Sequence, residues 1–273
     1  MRTAIVLLTM MVALAVGSGV AFAAVISCPT GPGGECRGTT LADQITGTIG
    51  VDRIYASGGE DSVQGGGAAD LIKGNLGADF LKGGSEADEM YGGGGNDTVG
   101  GGPGSDKFFG GAGNERLSGG DGEDVIHGEA GDDIDLDGDA SVDTIYGEDG
   151  NDLELDGDAG NDLLYGGTGN DGSAPTSDNL RNRGLRGEGG ENQVYGNEGA
   201  DTMDAQTAVD LGGAREQIFG GDGDDTITAA DGVVDEIDCG PGLNDTVVSY
   251  DPGLDVLLNC ENATPSAQAQ PLP

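Results

Sequence analysis

The sequence predicts an all-β fold, a parallel β-solenoid in which two nine-residue units form each coil. Three observations carry this prediction: a glycine-rich nine-residue repeat, an acidic composition and a shortage of apolar residues. The chain holds 57 Gly, and its 50 acidic residues against 11 Lys and Arg give a net charge of −39. With Leu, Ile, Val and Phe at about a fifth of the chain, an ordinary hydrophobic core is excluded. Because such a chain repels phosphate and attracts cations, nucleic acid is excluded as a partner.

The first segment of the chain, residues 1–23, has the pattern of a secretory signal peptide. A single arginine precedes an apolar run from Ile5 to Val16, and small residues ending at Ala23 supply a cleavage pattern. The run is too short for a retained membrane span, so we expect a secreted protein without membrane insertion. An alternative is a lipoprotein signal, because the residues before Cys28 resemble a lipobox.

Four cysteines follow this segment, as expected for a protein of an oxidising compartment. Cys28 and Cys36 precede the repeats, whereas Cys239 and Cys260 follow them. Three pairings are possible, and we expect the local one, which closes a small loop at each end. Residues 24–37 would then form an N-terminal cap with its own disulfide. A metal site of cysteines is disfavoured, because the chain has no CxxC motif and one His.

The nine-residue repeat follows the pattern G-G-x-G-x-D-x-U-x, in which U is apolar. Residues 92–100 read GGGGNDTVG, residues 119–127 read GGDGEDVIH, and residues 220–228 read GGDGDDTIT. Continued along the chain, this frame gives 21 units between residues 38 and 250, of which 18 have Asp at position six. The three residues after the Asp predict a short strand whose middle side chain points inward.

The residue types of the repeat also suit a divalent cation. Glycines allow tight turns that bring carbonyl oxygens towards one point, and the Asp adds a hard carboxylate oxygen. Calcium takes about six to eight oxygen ligands at about 2.3–2.6 Å. Because one turn offers only half of such a shell, two neighbouring coils must share each ion.

Over residues 38–250 the chain resembles the RTX, or haemolysin-type calcium-binding, family, and its two ends resemble those of secreted, stand-alone actinobacterial members. The resemblance implies a right-handed parallel β-roll in which acids two units apart share several Ca²⁺ ions with carbonyl groups of the turns. The implied carboxylate ligands are Asp79, Asp88, Asp97, Asp106, Glu115, Asp124, Asp133, Asp143, Asp152, Asp162, Asp171 and Asp225. The implied carbonyl ligands belong to Gly92, Gly94, Gly101, Gly110, Gly119, Gly128, Gly147 and Gly166. Glu115 departs from the family pattern through its longer side chain.

Two consecutive 19-residue segments between residues 128 and 165 interrupt the nine-residue period. In each, the usual inward position is acidic, at Asp135 and Glu154, and the residues on both sides are apolar. Strand alternation then predicts outward acids and two inward apolar neighbours. These neighbours are Ile134, Leu136, Leu153 and Leu155. An extra cation site of the two acids with Asp137 and Asp156 is one interpretation, and a locally wider core with solvated acids is the favoured one.

Further departures mark loops and the C-terminal end. Insertions are predicted near residues 172–186 and 204–210. The first carries three arginines, which could bind an acidic glycan, although a tolerated loop is favoured. Residues 251–261 predict a strand that caps the solenoid, and residues 262–273 predict a disordered tail.

The sequence predicts a protein that is not an enzyme. The repeats occupy nearly the whole exported chain, which contains no HExxH or GxSxG motif, and His127 is expected to point outward at position nine. We expect a monomer that stays unfolded at low calcium and folds on binding Ca²⁺ after export.

The alternative function is that of an adhesin or cell-envelope module whose flat face binds a cell-wall glycan or an envelope protein. Such a face should expose a stripe of aromatic or arginine side chains. Aromatic residues do occupy position nine, but they are expected to be scattered along the chain rather than to lie in consecutive coils. They are Tyr55, Tyr91, Phe109, Tyr146, Tyr165, Tyr195 and Phe219.

Overall fold

The computed structural model describes residues 24–29, 34–172, 184–204, 215–230 and 232–265, which form a parallel β-solenoid. The strands alternate along the chain between a 13-stranded and a 12-stranded sheet, and each pairs in parallel with the strand two places away. One coil therefore contains two repeat units, which confirms the predicted fold. The predicted signal peptide lies outside the described residues. The described ranges contain no helix suited to spanning a bilayer.

The strands are short, and most begin directly after an acidic residue. The 13-stranded sheet consists of β1 (Val25–Ser27), β3 (Gln44–Thr46), β5 (Ser62–Gly66), β7 (Phe80–Gly84), β9 (Thr98–Pro103), β11 (Arg116–Asp121), β13 (Asp135–Ala140), β15 (Leu155–Asp156), β17 (Leu185–Arg186), β19 (Thr202–Asp204), β21 (Thr226–Thr228), β23 (Thr246–Tyr250) and β25 (Asn262–Pro265). The 12-stranded sheet consists of β2 (Gly34–Arg37), β4 (Asp52–Gly58), β6 (Leu71–Leu76), β8 (Glu89–Gly94), β10 (Lys107–Ala112), β12 (Val125–Ala130), β14 (Thr144–Asp149), β16 (Leu163–Thr168), β18 (Gln193–Glu198), β20 (Gln217–Asp222), β22 (Glu236–Asp238) and β24 (Val256–Leu258).

The core is a narrow file of side chains between the two sheets. Buried and outward residues alternate on the strands, and the apolar residue of each unit is buried. Burial of one such side chain contributes about 1.5–3 kcal/mol. Members of this file with no more than 1% exposure include Ile54, Ile72, Met90, Phe108, Ile126, Ile145, Leu164, Val194 and Ile218. With only one apolar side chain per unit, the core is thin and leaves much of the cohesion to other interactions.

The two 19-residue segments do not widen the core, contrary to the prediction from strand alternation. Only one of the two apolar neighbours in each segment points inward, so the core is not wider here. The extra residue lies between the ladder acid Asp133 and strand β13, which puts Leu136 opposite Leu117 of β11. The second segment repeats this arrangement one coil later. The buried residues are Leu136 and Leu155, whereas Ile134 and Leu153 are half-buried.

Disulfides join Cys28 to Cys36 and Cys239 to Cys260, so the expected local pairing is confirmed. The sulfur of Cys28 is therefore not available for lipidation in this fold. At the C-terminal end, β24 lies within the segment predicted to cap the solenoid and pairs with β22. Strand β25 pairs with β23, so residues 262–265, which were predicted to lie in the disordered tail, continue the sheet.

The first predicted insertion ends in a strand of the solenoid. Leu185 of β17 is fully buried and pairs with Leu155 on one side and Met203 on the other. The roll therefore continues in register across the insertion. Residues 173–183 and 205–214, with two of the three arginines, lie outside the described residues, and Arg186 is the third.

Candidate calcium sites

The position-six residues form two buried ladders, one at each edge where the chain crosses between the sheets. No member exposes more than 3% of its surface. The first ladder, which precedes strands of the 13-stranded sheet, contains Asp43, Asp61, Asp79, Asp97, Glu115, Asp133, Asp152, Asp171, Asp201, Asp225 and Asp245. The second ladder, which precedes strands of the 12-stranded sheet, contains Asp52, Asp70, Asp88, Asp106, Asp124, Asp143, Asp162, Asn192, Glu216 and Asp235. All twelve acids that the resemblance implied as ligands are members.

Backbone hydrogen bonds hold the ladder members one above the other. The N–H of Asp106 donates to Oδ1 of Asp124 at 2.6 Å, and the N–H of Asp124 donates to Oδ1 of Asp143 at 2.8 Å. In the first ladder, the N–H of Asp133 donates to Oδ1 of Asp152 at 2.9 Å. Each bond joins residues one coil apart, so the acids that were expected to share an ion are neighbours.

The second carboxylate oxygen of these residues has no hydrogen-bond partner among the described residues. This holds for Oδ2 of Asp79, Asp88, Asp97, Asp106, Asp124, Asp133, Asp143, Asp152, Asp162, Asp171 and Asp225, and for both side-chain oxygens of Glu115. A buried carboxylate oxygen without a partner is costly, because burial removes the water that would solvate its charge. A row of such oxygens therefore requires either protons or bound cations.

Glycine carbonyl groups converge on the same points. A Cβ atom added to Gly92 would lie 2.4 Å from Oδ2 of Asp97 and 2.5 Å from the carbonyl oxygen of Gly110. A Cβ atom on Gly119 would likewise meet Oδ2 of Asp124 at 2.4 Å. Glycine thus leaves open a cradle of one carboxylate and one carbonyl oxygen, which are the hard ligands that calcium prefers.

Seven of the eight glycines implied as carbonyl ligands face a ladder acid in this way. They are Gly92, Gly101, Gly110, Gly119, Gly128, Gly147 and Gly166. The exception is Gly94, whose carbonyl oxygen accepts the N–H of Gly77 at 2.8 Å. Because a carbonyl oxygen has two lone pairs, this bond leaves the ligand role of Gly94 a prediction.

Burial raises the pKa of the ladder carboxyl groups above their ordinary value. The pKa rises to about 6 for Asp79 and Asp124, to about 7 for Asp152 and to about 8 for Asp143. Desolvation is the largest cause, and carboxylates on neighbouring coils raise the pKa further, while the backbone N–H bond lowers it. For Glu115, burial and the adjacent Asp133 act in the same direction.

The four acids of the extra cation site considered for the 19-residue segments do not form one cluster among the described residues. The guanidinium group of Arg186 lies 3.2 Å from Asp156 and 4.0 Å from Glu154. Arg186 also pairs with Glu188, so one side-chain cation is shared by three acids and offsets part of their charge. Asp137 instead lies near Asp139 and Asp158 on the coil face.

An aromatic stripe runs along the outer face of the 12-stranded sheet. Ring centroids of successive members are 4.6–5.1 Å apart and their planes differ by 2–16°. The stripe consists of Tyr91, Phe109, His127, Tyr146, Tyr165, Tyr195 and Phe219. The expectation of scattered aromatics was wrong, because alternate units fall on the same sheet and insertions do not break the register. The Nδ1 atom of His127 also lies 2.7 Å from a carboxylate oxygen of Glu148.

The model of the RTX calcium-binding nonapeptide repeat family matches more than half of the chain, and the chain therefore belongs to this family. The matched residues are 37–72, 73–108, 109–134, 137–172, 185–207 and 212–233. No curated protein matches the chain. The family repeats, the solenoid and the buried acids together support calcium binding by an RTX-type roll.

The raised pKa values predict that acid stabilises the metal-free roll. Because folded-state pKa values of about 6–8 exceed the ordinary value of 3.8, the folded state binds more protons than the unfolded chain between these limits. The resulting stability is fully present below the ordinary pKa and is lost as pH rises through the raised values.

Far-UV circular dichroism in a chelator should therefore show more β structure at about pH 5 than at about pH 8. With calcium present, acidification should release the ions, because protons and calcium compete for the same oxygens. Loss of β structure in the chelated protein on acidification would contradict this reading of the ladders.

Proposed function

We propose that the protein is a secreted, non-catalytic calcium-binding roll that folds when Ca²⁺ binds after export. The observation that best supports this proposal is the pair of ladders, in which buried carboxylate oxygens and glycine carbonyl oxygens of neighbouring coils face each other. Several calcium ions, each shared by two coils, would supply the partners that the buried carboxylate oxygens lack. The ligands are the twelve ladder acids that the resemblance implied, together with carbonyl groups of the seven glycines that face them.

The charge of the chain supports coupling between calcium binding and folding. At a net charge of −39, a chain with one apolar residue per unit is held apart by repulsion between its acids. Ions that bind only the folded chain stabilise it by mass action, so their binding energy becomes folding energy. Secretion agrees with this account, because the two disulfides suit an oxidising compartment.

The absence of catalysis is proposed from the environment of the titratable groups. The ladder acids are buried against the backbone, where a substrate does not reach them. The one histidine is stacked between Phe109 and Tyr146 in the aromatic stripe. We accordingly assign the acids to ion binding rather than to proton transfer.

Removing one ladder carboxylate tests the proposed sites. Asp124→Asn keeps the side-chain shape but removes a charged ligand from the ions shared with Asp106 and Asp143. We expect the calcium concentration for half-maximal folding to rise by about tenfold, because ligand charge sets affinity in calcium sites. Asp121→Asn is the matched control, since it removes the same charge from an exposed side chain near the same turn.

Calcium titrations followed by circular dichroism would give both midpoints. An Asp124→Asn midpoint equal to that of the wild-type chain would contradict the assignment of the ladder as the calcium site. An equal rise in both variants would also contradict it, because the effect would then come from overall charge.

A second candidate function, attachment to the cell envelope, is favoured by cationic side chains beside the aromatic stripe. The guanidinium group of Arg37 lies 4.7 Å from the ring centroid of Tyr55, and Nζ of Lys73 lies 3.7 Å from that of Tyr91. Arg53 on β4 is exposed on the same face. These cations beside aromatic rings form a local positive patch, and salt screens the repulsion from acids farther than about 10 Å away, so the patch favours a linear glycan with carboxylate groups as the partner.

Retention on an immobilised uronic-acid polysaccharide such as hyaluronan tests this candidate. The double variant Arg53→Glu/Lys73→Glu should lose retention, because it reverses the charge beside the stripe. The matched control, Lys82→Glu/Arg116→Glu, makes the same charge change on the exposed face of the other sheet and should be retained. Equal retention of both variants would overturn the candidate.

A further inference from the structure

The second ladder contains one member that is not an acid. Asn192 lies between Asp162 on the preceding coil and Glu216 on the following coil, and it exposes only 1% of its surface. It therefore stands where the other members of this ladder present a carboxylate to a neighbouring coil.

The hydrogen bonds fix which way the amide points. The N–H of Asp162 donates to Oδ1 of Asn192 at 2.7 Å, as the N–H of Asp143 does to Oδ1 of Asp162 at 2.8 Å. Because an amide has a single oxygen, its NH₂ group must take the position that Oδ2 occupies in the acids. A Cβ atom on Gly187 would accordingly meet Nδ2 of Asn192 at 2.3 Å, and one on Gly157 would meet Oδ2 of Asp162 at 2.7 Å.

The NH₂ group finds its partners within the protein. Nδ2 of Asn192 donates to a carboxylate oxygen of Glu216 at 3.1 Å and to the carbonyl oxygen of Gly190 at 3.4 Å. At other rungs the equivalent position is an oxygen atom without a partner, as at Asp124 and Asp143. Here it holds N–H groups, whose positive ends repel a cation and already neutralise part of the carboxylate charge.

We propose that the rung between Asn192 and Glu216 binds no calcium and is closed by this hydrogen bond instead. The inference rests on the proposed function for the remaining rungs. Asn192 thereby interrupts the row of ions along the second ladder, while the first ladder stays acidic on the same coils through Asp171, Asp201 and Asp225.

Other interactions hold these coils together where the ion is missing. In the aromatic stripe, the ring centroids of Tyr165 and Tyr195 are 4.9 Å apart, and those of Tyr195 and Phe219 are 4.6 Å apart. The pairs of β16 with β18 and of β18 with β20 keep their register here. At the edge of the roll that holds Asn192, coil stacking therefore depends on the sheet, the rings and the amide rather than on calcium.

Restoring the carboxylate tests the inference. Asn192→Asp should increase the number of calcium ions bound per chain at saturation, measured by equilibrium dialysis of the folded full chain against calcium. The matched control is Asn197→Asp, which adds the same charge at an exposed position on β18 and should leave the number unchanged.

Each outcome decides a different claim. If the wild-type chain binds several ions and Asn192→Asp binds no more than it does, the inference is overturned. If the wild-type chain binds no calcium, the proposed function fails and the inference falls with it.

A crystal structure of the calcium-loaded wild-type chain gives a test that does not depend on folding of the variant. We expect anomalous density for calcium between Asp124 and Asp143. We expect none between Asn192 and Glu216. A calcium peak at the latter rung would overturn the inference.

Discussion

The structure depends on the burial of one carboxylate per unit at a glycine turn. One oxygen of that carboxylate accepts a backbone N–H from the preceding coil, as between Asp106 and Asp124. The other oxygen is left facing a glycine carbonyl group inside the turn. The first contact sets the stacking of the coils. The second leaves a buried negative charge that needs a positive partner, and the chain, with a net charge of −39, has too few cationic side chains to supply one. The same side chains therefore specify the fold and, in the function proposed above, make it depend on bound calcium at neutral pH.

This arrangement explains why the core can be so thin. Each unit buries a single apolar side chain, such as Phe108 or Ile126, and the sheets gain length only by adding coils. In the proposed calcium-loaded state, each ion offsets two carboxylate charges and links two coils. The aromatic stripe acts in parallel along one sheet and is independent of metal. The ions and the aromatic rings lie on different surfaces of the roll. Their shares of the stabilisation can therefore differ from coil to coil, as we infer at Asn192.

The sequence predicts the repeating part of this structure well, because position in the nonapeptide determines burial. The solenoid and the positions of the twelve implied acids follow from the period, and the local disulfides follow from the placement of two cysteines at each end of the repeats. The aromatic stripe was missed because neighbours on one sheet are two units apart, so the rings are spread along the chain. Leu136 was assigned correctly, but Ile134 was not, since strand alternation does not show where an extra residue enters. In the sequence, Asn192 is one of the three position-six residues that are not Asp, and only the hydrogen-bond directions reveal its consequence.

Calcium-driven folding is the central claim, and far-UV circular dichroism of the protein titrated separately with CaCl₂ and MgCl₂ tests it most directly. The account predicts a cooperative change from coil to β structure with calcium and little change with magnesium, which is smaller and keeps its water more firmly. A full β spectrum in chelator at neutral pH, unchanged by added calcium, would contradict the account.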